Sequence, residues 1–167
     1  MRLFIAIQLN DEMKNALVRI QNAMKRQGVR GNFTRRENLH LTLAFIGEYS
    51  DTDEVLEIMD QVQFEPFDLR LDGVGAFGNL WWAGTDGSES LMAVAKMLRH
   101  GLADAGISFD HKKFSPHITL VRKAHSLDGR IPAGVLEGAG EAGMLVDHIS
   151  LMRSDRGKNG MVYTEIF

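Results

Sequence analysis

The chain has no cysteine among its 167 residues, which excludes disulfides, thiolate metal ligands and a cysteine nucleophile. Proline is scarce, three in all, and no tract is of low complexity, while 44% of the residues are hydrophobic. One folded domain over residues 1–167 with a substantial core is therefore expected, and disorder is not. No apolar run approaches the length of a membrane span. The opening MRLFIAIQLND turns polar and charged too soon for a signal peptide, so a cytoplasmic protein with no membrane contact is expected. Acids slightly outnumber bases, for a net charge of −3 at pH 7, which argues against a protein that coats nucleic acid at large.

The charge that is present is unevenly placed. Nine of the 19 Lys and Arg fall in two acid-free stretches, Lys25 to Arg36 and His111 to His125. Each leads into or spans a recurring tetrad, His40-Leu41-Thr42-Leu43 and His117-Ile118-Thr119-Leu120. With six His, six Thr and eighteen Leu in the chain, chance placement gives roughly 0.02 tetrads of the form His-x-Thr-Leu, against the two observed. A positive field around the tetrads suits a local anionic ligand.

Both tetrads have the alternation of strands: Leu41, Leu43 and Phe45 fall on one side and His40 and Thr42 on the other, as do Ile118 and Leu120 against His117 and Thr119. Each strand then presents an imidazole and a hydroxyl two residues apart on its non-core face. Around them, Arg2 to Leu9 forms a strand that is apolar on both sides and hence central. Asn10 caps a helix with Met13, Ala16, Leu17, Ile20 and Met24 inward and Gly28 past its end.

Ser50 and Asp51 open a second helix with the stripe Val55, Ile58, Met59 and Val62, and a third runs from about Ser88 to Ala105, stopped by Gly106. Phe67 to Asp72 alternates as a half-exposed strand, with Leu80 to Ala83 its hairpin partner and Trp81 and Trp82 on opposite faces. The glycines of Asp72 to Gly78 fit the hairpin bend better than a phosphate loop, since no Gly-Lys-Ser/Thr follows. Leu127 to Gly143 has no clear period and is expected as loop or poorly formed strand. Leu145 to Met152 and Met161 to Phe167 are two closing strands joined by a polar turn, Ser154 to Gly160. The sum is an α+β protein with mainly antiparallel sheet, in two lobes that each contribute one His-x-Thr strand to a groove.

Two imidazoles facing one ligand can serve as general base and general acid near neutral pH, and two threonine hydroxyls can donate to phosphate oxygens. A phosphodiester fits such a site, and no metal is required. A dinuclear metal hydrolase is the competing chemistry, but HExxH, His-x-His and clustered Asp are all absent near the tetrads. His100, His111, His125 and His148 have no matched partner and are expected to be structural or surface residues.

With NLHLTLAFIGE, FSPHITLVR, the opening RLFIAI and the closing LMRSDRGKNGMVYTEI in this chain, the sequence resembles the two-histidine phosphoesterases, and among them the bacterial RNA 2′,3′-cyclic phosphodiesterases, also called 2′-5′ RNA ligases. The resemblance implies a bilobal α+β fold with pseudo-two-fold symmetry, two sheets lining a cleft with helices outside, and hydrolysis of a terminal 2′,3′-cyclic phosphate to a 2′-phosphate without a cofactor. It gives His40 the role of proton donor to the leaving 3′-oxygen, His117 that of proton acceptor from water, and Thr42 and Thr119 that of holding the phosphate.

Arg122 matches a basic phosphate contact, yet its odd offset from His117 puts it on the opposite face unless a bulge intervenes. The implied partner is RNA with a cyclic phosphate end, tRNA fragments among the candidates, bound by a monomer. The chain departs from the family at EGAGEAG, within 133–143, where a more aromatic strand is usual. The alternatives are a binder of phosphorylated RNA ends or nucleotides without turnover and, within the family, a 2′-5′ ligase, a cyclic nucleotide phosphodiesterase or an ADP-ribose cyclic phosphate hydrolase.

Overall fold

Alternating apolar residues with two buried sides make the first strand the spine of a sheet, and the remaining elements order themselves around it. The computed structural model describes residues 1–86 and 88–167. In chain order the elements are β1 (Arg2–Gln8), α1 (Asp11–Arg26), β2 (Arg30–Phe33), β3 (His40–Glu48), α2 (Thr52–Asp60), β4 (Phe67–Phe77), β5 (Leu80–Thr85), α3 (Glu89–Asp104), β6 (His117–His125), β7 (Gly143–Val146), β8 (Ser150–Gly157) and β9 (Gly160–Glu165), with 3-10 turns at Arg36–Asn38 and Glu137–Ala139. The strands form two sheets, one ordered β3-β1-β8-β9 and the other β2-β6-β5-β4-β7, with every pairing antiparallel. The expected α+β architecture of two antiparallel sheets is present, and β1 is internal as its apolar faces require.

The helices follow their caps and stripes. The Asn10 side chain accepts from the Met13 N–H at 2.9 Å, that of Asp51 from Glu54, and that of Ser88 from Leu91. All five stripe residues expected on α1 are buried, and on α3 the apolar stripe Leu91, Val94, Ala95, Leu98 and Leu102 is buried. Each large one, such as Leu17 or Leu98, contributes about 1.5–3 kcal/mol by leaving water. The helices are exchanged between lobes. Helix α1 leaves the four-stranded sheet after β1 but packs on the Glu137–Ala139 turn, β7 and β6, and α3 leaves the five-stranded sheet after β5 but packs mainly on β3 and α2, with a lesser contact to β4.

Two copies of one unit, a strand, a helix and an antiparallel His-x-Thr strand, are thus present in the chain: β1-α1-β3 and β5-α3-β6. The registers match. Gln8 lies opposite His40 and Ala6 opposite Thr42, just as Gly84 lies opposite His117 and Trp82 opposite Thr119. On β1, Leu3, Ile5 and Ile7 join the main core, whereas Phe4 and Ala6 face the other way and form a small apolar floor with Met152, Phe45 and Tyr163. That floor lies under the groove between the sheets.

Three local expectations are corrected. Leu145 to Met152 is not one strand: β7 ends at Val146 in one sheet and β8 begins at Ser150 in the other. The polar run beyond Met152 is ladder rather than turn, because β8 and β9 pair through Gly157 opposite Gly160 and leave a two-residue bend. The glycines of 73–78 lie largely within β4. A Cβ on Gly75 would come within 2.4 Å of the Trp82 indole, so the glycine there lets the ring lie across the neighbouring strand. Strand β2, with a sequence too short and polar to be noticed, covers the outer edge of β6. No helix among the described residues is long and apolar enough to cross a membrane.

Candidate active site

His40 and His117 are each the first residue of a strand, and each is oriented by the chain just before it. His40 Nδ1 lies 2.7 Å from the Asn38 carbonyl oxygen, and His117 Nδ1 lies 2.7 Å from that of Ser115. A carbonyl only accepts, so Nδ1 carries hydrogen in both rings and Nε2 is the atom left for chemistry. Asn38 is itself held, its buried amide donating to the Met161 carbonyl at 2.9 Å. Both imidazoles line one cavity of about 560 Å³ between the two sheets, together with Thr42, Thr119 and Arg122. The structure brings together all five residues expected from the sequence.

Arg122 reaches that cavity because of a bulge. In β6, Thr119 is opposite Trp82 and Val121 is opposite Trp81, which makes Leu120 an extra residue. Leu120 and Val121 are consequently both buried, and the alternation beyond them changes face, turning Arg122 toward His117 and Thr119. The same irregularity sits at the same place in β3, where Thr42 is opposite Ala6 and Ala44 opposite Ile5, so that Leu43 is extra. Here the side chain delivered to the groove is Phe45, the counterpart of Arg122. Phe45 was expected on the core side with Leu41 and Leu43; the bulge is why it is not.

Each ring is walled by aromatics from its own sheet. Phe4 and Tyr163 lie with ring centroids 4.9 and 5.2 Å from His40, and Phe77 and Trp82 lie 5.1 and 6.3 Å from His117. The surroundings of His40 exclude water enough that burial pushes its pKa below the ordinary histidine value, against the opposing pull of the Asn38 carbonyl. The charges of Arg122, His117 and Lys14 push it further the same way. In the neutral ring, with hydrogen on Nδ1, the Thr42 hydroxyl donates to Nε2 at 2.9 Å.

Several cavity residues had no signal in the sequence that singled them out. Arg2 and Arg156 line it from β1 and β8, while the only carboxylate among its lining residues is Asp110. Of the nine bases in the two acid-free stretches, Arg122 alone lines this cavity, and Lys112 and Lys113 line an adjoining one. The first stretch is mostly spent elsewhere: Arg36 pairs with Asp11 at 3.1 Å, Lys25 sits over the Phe33 ring, and Arg35 donates to the Met161 carbonyl. Among the described residues no three His, Asp or Glu side chains converge as metal ligands do.

The model of the 2′-5′ RNA ligase superfamily matches residues 11–158. The chain belongs to this superfamily. A Thermotoga maritima protein named RNA 2′,3′-cyclic phosphodiesterase is 34% identical over 132 residues, covering 73% of this chain and 70% of the relative. An Escherichia coli K12 protein of the same name is 34% identical over 128 residues, covering 74% and 72%. Among solved structures, a Thermus thermophilus protein superposes with a TM-score of 0.82 at 30% identity over 100% of this chain and 96% of the other. E. coli LigT complexed with 3′-AMP does so with a TM-score of 0.81 at 26% identity, covering 99% and 94%. The superfamily thus matches the resemblance drawn from the two tetrads.

Proposed function

We propose that this protein hydrolyses the 2′,3′-cyclic phosphate at the end of an RNA to a 2′-phosphomonoester, using His117 as base and His40 as acid. The observation that carries the reading is the matched presentation of the two imidazoles, each with Nδ1 fixed on a carbonyl two residues earlier and each lining one basic groove. His117 Nε2 takes a proton from water as the water oxygen bonds to phosphorus. The bond from phosphorus to the 3′-oxygen breaks, and His40 Nε2 gives that oxygen its proton, leaving phosphate on the 2′-oxygen. The hydroxyls of Thr42 and Thr119 and the Arg122 guanidinium donate to the non-bridging oxygens as charge builds there.

A neutral His40 in the free protein fits this order of events. An anionic phosphodiester placed beside it favours the protonated ring, so substrate arrival supplies the condition under which His40 can act as an acid. Each lobe provides one histidine, so the 167 residues act as one bilobal unit and a monomer is sufficient. The setting is cytoplasmic RNA ends, tRNA fragments among them.

The test is incubation with a short RNA ending in a 2′,3′-cyclic phosphate, in excess EDTA, followed by identification of the phosphate position. A 2′-phosphate product is expected at the rate seen without chelator. A 3′-phosphate, no turnover, or turnover that needs an added divalent cation contradicts the proposal.

A further inference from the structure

The two bulges that aim Arg122 and Phe45 are held by side chains from the exchanged helices, at equivalent positions. Helices α1 and α3 are each 16 residues long, and Gln21 and Arg99 are the eleventh residue of each. Gln21 Nε2 donates to the Leu120 carbonyl at 3.0 Å and to the Thr34 carbonyl at 2.8 Å. Arg99 Nε donates to the Leu43 carbonyl at 3.1 Å and its Nη1 to the Lys112 carbonyl at 2.8 Å. Leu120 and Leu43 are the extra residues of the two bulges, while Thr34 and Lys112 lie on the approaches to His40 and His117. Each side chain therefore ties the approach to one histidine to the bulge that follows the other.

We infer that Gln21 and Arg99 are positioning residues that couple the two half-sites, a role that rests on the paired-histidine reading above. Gln21 is 4% exposed in an otherwise apolar stripe, and a buried amide is retained there only with its partners satisfied. Two carbonyls from separate segments satisfy it, and the other helix repeats the arrangement with a different side chain. A single-residue slip that removed the Leu120 bulge would restore plain alternation and turn Arg122 out of the groove. Holding the bulge carbonyl opposes that slip. The same holds for Arg99, Leu43 and Phe45.

The test is a double-mutant cycle on the folded full-length chain, with circular dichroism and thermal midpoints as controls. Gln21→Met, of similar volume but without donors, is expected to weaken inorganic phosphate binding and to lower kcat/KM by about tenfold, the size of one charge-assisted contact. In the Arg122→Ala background the same change is expected to have less than about a threefold further effect, because Arg122 is then no longer there to misplace. Equal effects in both backgrounds, or none in either, overturn the inference. If Gln21→Met does not fold, Arg99→Met in the presence and absence of Phe45→Ala tests the same claim, and Arg99→Lys is expected to recover part of the loss. A wild type that binds phosphate but turns over no cyclic phosphate fails the paired-histidine reading alone. The coupling is then decided by the phosphate cycle together with hydrogen exchange of the Thr34 amide, which donates to Leu120 and is expected to exchange faster in Gln21→Met.

Discussion

Around His40 the ring is enclosed by Phe4 and Tyr163, its Nε2 is engaged by Thr42, and the neighbouring bulge delivers Phe45. Around His117 the ring meets Phe77 and Trp82, and the neighbouring bulge delivers Arg122. Backbone registers, bulge positions and the carbonyls that fix Nδ1 are the same in both halves. Duplication of the unit therefore accounts for geometry, and the differences within it are what the proposed division of labour rests on. The bulge of one half turns a cation, Arg122, into the groove and that of the other an apolar ring, Phe45, and burial lowers the pKa of His40.

The largest effects come from removing what the halves share. His40→Ala and His117→Ala are each expected to lower kcat by about 10² to 10⁴, since in the proposed mechanism each removes one proton transfer. Steady-state turnover of a cyclic-phosphate RNA checks this, and a drop confined to one variant would mean that the halves are not both catalytic. Removing what differs should have a smaller effect of unequal kind. Arg122→Ala is expected to lose about tenfold or more in kcat/KM, with weaker salt dependence of binding, whereas Phe45→Ala leaves the salt dependence unchanged. Titrating turnover against ionic strength separates the two.

The pH profile sharpens the comparison further. On the proposed assignment His40 must be protonated to act as general acid, and burial lowers its pKa in the free protein. The alkaline limb of kcat/KM, which reports the free enzyme, is therefore expected on the acid side of the ordinary histidine value of about 6.5. The limb of kcat, which reports the complex, should lie higher, because the bound anion favours the protonated ring. Tyr163→Ala, which opens the wall around His40, should move the kcat/KM limb upward; no movement would mean that burial by this wall is not what holds the pKa down.

The smallest expected effect is structural. Gly75→Ala puts a methyl against the Trp82 indole and should cost about 1–3 kcal/mol of stability, visible as a lowered thermal midpoint. An unchanged midpoint would contradict the account of the glycines in β4.

These contrasts also mark what could be seen in the sequence. The three helices were legible because apolar stripes such as Leu91, Val94, Leu98 and Leu102 outnumber any competing period, and because Asn10, Asp51 and Ser88 are efficient caps. The paired His and Thr were legible because the unit is repeated. A bulge adds one residue without altering composition, so Phe45 was expected on the wrong face. Its trace is the doubled apolar pair, Leu43-Ala44 and Leu120-Val121, where one core residue should stand. Gln21 left a comparable trace as a polar residue inside the apolar stripe of α1. Arg2 and Arg156 left none, since groove-facing and solvent-facing arginines look alike until the sheets are assembled.

The division of labour itself is tested most directly with a substrate carrying sulfur at the bridging 3′ position. A thiolate leaves without a proton, whereas water must still be activated for attack. On this substrate His40→Ala is expected to regain most of its lost rate while His117→Ala stays impaired. Rescue of His117→Ala instead would reverse the two roles, and rescue of neither would mean that both imidazoles act by holding the phosphate rather than by moving protons.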